Sequence, residues 1–137
     1  MSCLPKSAIG NPQSNMDFVD SLAGIANRIE GCAAVVILGI DGIPIERHIR
    51  DLDPSLDVDM IAAEFTTLLR RSIRTASDTE LGDLREMVFA TDMMIFLLRP
   101  ITSEYFFLLA LNPGGNVGRA RFELRRAQLS METEFAI

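Results

Sequence analysis

The chain has 137 residues, enough for one well-packed domain and short for two. Apolar residues make up 48% and charged residues 23%, a globular and not a disordered composition. The formal net charge of -6 argues against nucleic acid as a general partner, and no apolar run reaches the ~20 residues of a membrane-spanning helix.

Residues 1–13 (MSCLPKSAIGNPQ) carry Pro, Gly, Asn and Ser without a period and lack the apolar core of a signal peptide. They read as a flexible tail ahead of one domain over residues 14–137. Cys3 and Cys32 are too few for a disulfide framework or a zinc site, which fits a reducing cytoplasm with Cys32 as a small buried residue. Ser14 and Asp17 form a capping-box pattern. Phe18, Leu22, Ile25 and Ile29 then recur at helical spacing, predicting an amphipathic helix over 15–30 that Gly31 ends.

Residues 33–39 (AAVVILG) are apolar without alternation, the pattern of a strand covered on both faces. Asp41-Gly42 predicts a type I′ hairpin turn, in which both central residues take positive φ. In the next strand, 43–49, Ile43, Ile45 and Ile49 alternate with Pro44, Glu46 and His48; Pro44 cannot donate to a ladder and marks a sheet edge. Asp53-Pro54-Ser55 predicts the start of a long helix running to about Ser77, with Asp57 and Asp59 near its positive end. At about 100° per residue, Val58, Ile61, Ala62, Phe65, Leu69, Ser72 and Ala76 share one face. Met60, Ala63, Glu64, Thr67, Arg70, Arg71, Arg74 and Asp78 lie opposite.

Residues 84–91, 93–99 and 104–111 read as three strands of a meander, the last two apolar on both faces. Asn112-Pro113-Gly114-Gly115 breaks the chain. A last helix follows with Val117, Ala120, Leu124, Ala127 and Met131 on one face. Buried strands belong in the middle of a sheet, polar ones at its edges, and short hairpins make consecutive strands neighbours. Both conditions are met by one arrangement: an α/β (α+β) sandwich with a five-stranded antiparallel sheet, order 2-1-5-4-3, and helices on both faces. The 43–49 edge is blunted by Pro44 and by charge. The 84–91 edge carries the apolar Met87-Val88-Phe89 and no Pro, an invitation to pair with a second copy as a C2 homodimer.

Catalytic and ligand chemistry is sparse. His48 is the only histidine, expected as a solvated side chain on the outward face of an edge strand. No Ser or Cys has a His at nucleophile spacing, and no His/Cys cluster suits a metal, so no catalytic residue, metal or cofactor is expected. Gly114-Gly115-Asn116-Val117-Gly118-Arg119 precedes a helix but lacks the Lys-Ser/Thr of a P-loop and the G-x-G-x-x-G of a dinucleotide site, so it reads as a strand-to-helix turn. Arg70, Arg71 and Arg74 form a basic group on the exposed side of the long helix, either merely solvated or complementary to an acidic partner surface. Arg119, Arg121, Arg125 and Arg126 form a second group, which Glu123, Glu132 and Glu134 are placed to neutralise.

The element order α-β-β-α-β-β-β-α, the hairpin VVILGIDGIPIE (35–46) and the block TDMMIFLLRPITSEYFFLLALNPGGNVGRARFELRRA (91–127) resemble the roadblock (dynein light chain roadblock) family, most of all its bacterial MglB-like members. The resemblance spans residues 15–135. It implies a roadblock/profilin-like fold and a homodimer joined through the third strand and the long second helix. It also implies a partner, a Ras-like small GTPase, whose hydrolysis MglB-like members stimulate by rearranging the GTPase's own active site without an arginine finger; other members are scaffolds. On this chain Glu64, Thr67, Arg70, Arg71 and Arg74 are the residues expected at the GTPase, and Met60, Ala63, Thr67, Glu86, Met87, Val88 and Phe89 those expected at the dimer. The alternatives are a non-catalytic assembly scaffold of the same fold and a PAS-like small-molecule sensor. The sensor needs a pocket inside one subunit, for which Phe96, Phe106 and Phe107 leave little room.

Overall fold

Strand β1 (Cys32–Gly39) is buried along its whole length, so each of its faces needs its own cover. The computed structural model describes residues 21–135, and this one stretch supplies both covers. Helix α1 occupies 21–27 of the described residues and precedes β1. Then come β2 (Pro44–Ile49), α2 (Val58–Asp78), β3 (Met87–Ala90), β4 (Ile95–Pro100), β5 (Tyr105–Leu111) and α3 (Val117–Phe135). The strands form one antiparallel sheet in the order β2-β1-β5-β4-β3, as the burial pattern and hairpins predict. The expected tail, the Ser14–Asp17 capping box, Cys3 and Phe18 lie outside the described residues.

Alternation along the middle strands builds two cores. Val35, Ile37, Leu97, Phe107, Leu109 and Leu111 point to one side, under Leu22, Ile25 and Ile29 and under Ala120, Leu124 and Met131 of α3. Ala34, Val36, Leu38, Phe96, Leu98, Phe106 and Leu108 point to the other, under Ala62, Phe65 and Leu69 of α2. Burying one such Leu or Phe contributes about 1.5–3 kcal/mol. A one-residue slip would exchange the two sets and mismatch both helix layers, so the register is strongly specified.

Local structure departs from expectation at three places. The first is the β1–β2 turn. Gly42 alone takes positive φ (89°), and the Gly42 amide donates to the Gly39 carbonyl at 2.9 Å. Asp41 keeps an ordinary φ while its carboxylate accepts the Ile43 amide at 3.1 Å. The loop is therefore a turn followed by a left-handed glycine, with a register shift beside Leu38, and not the predicted type I′ turn. The second is the start of α2, at Val58 and not near Asp53. The Asp53 carboxylate accepts the Ser55 amide and its carbonyl accepts Leu56, closing a separate turn. Asp57 is the N-cap, accepting the Met60 amide at 3.1 Å. The third is β3, four residues long. Glu80 (φ 59°) and Gly82 (φ 92°) redirect the chain after α2, and residues 81–86 have no regular structure.

Two links fix the ends of the layers. Gly31 has φ +83°, and a Cβ there would stand 2.5 Å from the Gly115 Cα. The backbones touch because the Asn112 amide donates to Gly31 and the Asn116 amide to Glu30, at 2.9 and 3.0 Å. The second link joins the segment after α1 to α3. The fully buried carboxylate of Glu123 accepts the Arg28 Nε at 2.8 Å, and its Oε2 lies 2.6 Å from Arg119 Nη2 in an ion pair not aligned as a hydrogen bond. Burial alone would raise the Glu123 pKa; the hydrogen bond and charge of Arg28, then Arg119 and Arg126, outweigh it and hold the carboxyl below its ordinary value.

Gly31→Ala should lower unfolding free energy by about 2 kcal/mol or more in urea denaturation, since it adds left-handed strain and a backbone clash. Glu123→Gln should cost about 1–2 kcal/mol at pH 7, a modest loss for a buried pair because both arginines are well exposed. The folded pKa of Glu123 lies below the unfolded one, so this stabilisation is present above the ordinary carboxylate pKa and is lost as pH falls through the folded value. The gap between wild-type and variant midpoints should thus close on acidification below the ordinary carboxylate range.

Candidate partner-docking surfaces

Ala62, Phe65, Thr66 and Leu69 seat α2 on the sheet. Thr66 stays buried without cost because its hydroxyl donates to the Ala62 carbonyl at 2.7 Å. The opposite side of the helix is open: Met60, Ala63, Glu64, Thr67, Arg70, Arg71 and Arg74 are all exposed. Among the described residues, no carboxylate lies within ion-pair distance of Arg70, Arg71 or Arg74. The acid of the first turn, Asp59, is engaged by Arg47 of β2 at 3.5 Å.

The two flanks of α2 differ. Thr66 lies over Gly42 of the hairpin and Asp59 meets β2, so Ala63, Arg70 and Arg74 follow the β2 flank, with Met60 and Thr67 between it and the crest. On the other flank, Phe65 meets Phe89 of β3 edge to face, ring centroids 5.0 Å apart, and Ile61 and Leu68 lie alongside. The structure therefore brings Phe89 to α2 but sets Met60, Ala63 and Thr67 away from the β3 edge. Met87 and Phe89 point to the α2 side of the sheet, Val88 to the α3 side, and Glu86 lies just before the strand. Val88 is 47% and Phe89 42% exposed. Since β3 pairs only with β4, its outer edge carries no strand among the described residues.

The β2 edge holds exposed isoleucines that the sequence reading placed on one face of the strand but assigned to no site. Ile43, Ile45 and Ile49 are 64%, 41% and 43% exposed, and Ile49, opposite Ala34, faces the α2 side. His48, expected on the outward face, instead lies opposite Val35 on the α1–α3 side and is half-buried. The alternation in 43–49 carried a signal for two unlike faces but not which one the sheet would cover.

Around α3, the glycine-rich stretch forms a strand-to-helix turn. The Gly115 amide donates to the Asn112 carbonyl, and Asn116 caps the helix by accepting the Arg119 amide at 2.9 Å. Arg119 pairs with Glu123, and Arg121 reaches across to Glu86 at 2.6 Å. Glu132 accepts from Gln128, and the Glu134 side chain lies outside the described residues. Arg125 and Arg126 have no ion pair among the described residues. Burial pushes the Cys32 thiol up to about 11, and its Sγ donates to the Ala34 carbonyl, so it stays a protonated packing group at neutral pH.

Room for a small molecule is scarce under α2. The cavity there is about 20 Å³ and wholly apolar, lined by Val36, Ile61, Phe96 and Leu108 among others. That is far below the ~300 Å³ at which ligand pockets begin. A groove of about 220 Å³ between α1 and α3 is open and lined in part by Arg28, Glu123 and Arg126.

No family sequence model matches the chain, and no curated protein matches it. Solved structures do. A Roadblock/LC7 domain from Streptomyces avermitilis superposes with a TM-score of 0.76 at 18% identity, covering 87% of this chain and 98% of that one. MglC from Myxococcus xanthus superposes at 0.61 with 28% identity, covering 87% and 99%. An MglB with a tetrameric arrangement superposes at 0.81 with 13% identity, covering 93% and 95%. With its strand order, its helices on both faces of the sheet and these likenesses, the chain has the roadblock fold, and MglB and MglC structures are among those it is similar to.

Proposed function

We propose that this chain is a homodimeric regulator that binds a Ras-like small GTPase through α2 and is not itself an enzyme. The observation that carries the reading is the outer side of α2. Three arginines stand exposed there, unneutralised among the described residues, in a chain of net charge -6. A basic patch on an acidic protein steers and orients an acidic partner surface. Exposed Met60 and the isoleucines of β2 add apolar area beside it, which a partner would bury. The likeness to MglB and MglC structures supports this class of role.

The dimer follows from the β3 edge. Antiparallel pairing with a second copy would continue the sheet, cover Val88 and Phe89, and set the Leu68 flank of each α2 against its copy. The flank with Arg70 and Arg74 would stay free. An arginine supplied in trans can accelerate GTP hydrolysis about 10³–10⁵-fold. The resemblance to MglB-like proteins instead favours rearrangement of the GTPase's own active site.

The direct test is GTP hydrolysis by a purified Ras-like GTPase encoded beside this chain, with and without it, together with binding in both nucleotide states. Binding with acceleration is the expected result. Binding without acceleration would make the chain a scaffold, and no binding in either state would overturn the reading. Changing Arg70, Arg71 and Arg74 together to Glu should weaken GTPase binding by more than about tenfold and leave the dimer intact; an unchanged affinity would remove α2 from the interface. Val88→Lys should weaken the dimer by about tenfold in sedimentation equilibrium, and an unaltered dimer would exclude pairing through β3.

A further inference from the structure

The outer side of α3 carries an apolar ridge. At about 100° and ~1.5 Å per residue, Phe122 and Leu129 stand within about 20° of each other, two turns and about 10 Å apart, on the side away from the sheet. They are 55% and 64% exposed. The Arg119 guanidinium lies over the Phe122 ring, 5.5 Å from its centroid. Arg126 lies about 40° from Phe122, on the same flank as Arg119. It is exposed and has no ion pair among the described residues. Residues 119–130 hold one acid, Glu123, and it is turned inward, fully buried against Arg28 and Arg119. Beyond this flank lies the open groove between α1 and α3, lined by Gly24, Arg28, Arg126 and Ser130 among others. Gly24 leaves room for Arg28 there: a Cβ would stand 3.1 Å from its Nη1. Arg28, Arg119 and Arg126 thus surround one carboxylate, and that carboxylate is out of a partner's reach.

We propose that the Phe122–Leu129 ridge of α3, with the groove beside it, docks an acidic amphipathic helix of a partner protein. Two apolar side chains in line, two turns apart, match the apolar stripe of a second helix, whose residues recur at i, i+4 and i+7. The excess positive charge follows the flank of the ridge that faces α1, so it calls for carboxylates along one edge of that stripe. An anionic membrane surface fits less well. Two apolar side chains offer little to insert, and the net charge of -6 opposes the approach. Arg121 and Arg125 turn to the other flank, where Arg121 holds Glu86, and take no part. The ridge points away from the sheet and its arginines away from β3, so both stay open when copies pair through β3. The surface is on the other side of the sheet from Arg70, Arg71 and Arg74, so it does not depend on the GTPase reading.

The test uses full-length protein carrying Arg70, Arg71 and Arg74 changed to Glu, which removes α2 as a competing basic surface. The probe is a fluorescein-labelled helical peptide of about 18 residues, five turns, with Leu at i, i+4, i+7 and i+11 and Glu along one edge of that stripe. Binding is followed by anisotropy at about 50 mM salt, where surface charges are weakly screened. This background should bind the peptide. Adding Phe122→Ser and Leu129→Ser should weaken binding by about tenfold or more, and Arg126→Glu alone by about threefold. A peptide with its leucines changed to serine should bind about tenfold more weakly. The three substituted side chains are exposed, and circular dichroism should show an unchanged melting curve. Failure of the background protein to bind, or an affinity untouched by the ridge changes, would overturn the proposal. Equal binding of the serine peptide would reduce the surface to charge alone and overturn it too. So would sedimentation of the protein with phosphatidylserine vesicles that the ridge changes abolish, which would make the ridge a membrane contact.

Discussion

The structure depends on the double-sided burial of β1, β5 and β4. These strands carry large apolar side chains on both faces, and water must be kept from both. One long helix covers one face; α3 and the segment around α1 cover the other. With the middle places taken, β2 and β3 are left at the edges, where one face and one row of backbone groups meet solvent. The surfaces that offer themselves to partners lie on these leftovers and on the outer sides of the helices.

Charge is distributed by the same constraint. Where a charged group lies inside, it is held by opposite charge or hydrogen bonds: Glu123 by Arg28 from the segment after α1 and by Arg119 of its own helix, Arg99 by Gln128 and Glu86. These contacts tie layers together more than they add stability, since their partners are partly solvated. The arginines of α2 are the contrast. They touch no carboxylate among the described residues, and α2 keeps its seat through Ala62, Phe65 and Leu69 without them. Residues that the fold does not use are available for recognition. The outer side of α2 thus presents a basic surface on a protein whose net charge is negative.

The sequence was legible where a residue's role is fixed by its own neighbours in the chain. The all-apolar run of β1, the 3.6-residue spacing of α2 and the breaker at Asn112-Pro113-Gly114-Gly115 gave the elements, and strand polarity gave the order β2-β1-β5-β4-β3. Errors arose where two local solutions compete. Asp41-Gly42 fits a type I′ turn, but the Asp41 carboxylate satisfies the Ile43 amide without positive φ. Asp53 and Asp57 both qualify as caps; the first closes its own turn and the second starts the helix.

Sequence by itself determined the fold class, the two-sided core and the presence of an exposed arginine group on the second helix, because hydrophobic periodicity and charge are properties of each segment alone. Tertiary structure decided which face of β2 is covered, turning His48 inward and leaving Ile45 and Ile49 outside. It also decided that Glu123 would be buried against Arg28, 95 residues away in the chain, and that Arg121 would find Glu86 and not a neighbour on its own helix. Those pairings depend on how layers meet, and no local pattern encodes the distance between residues on different elements.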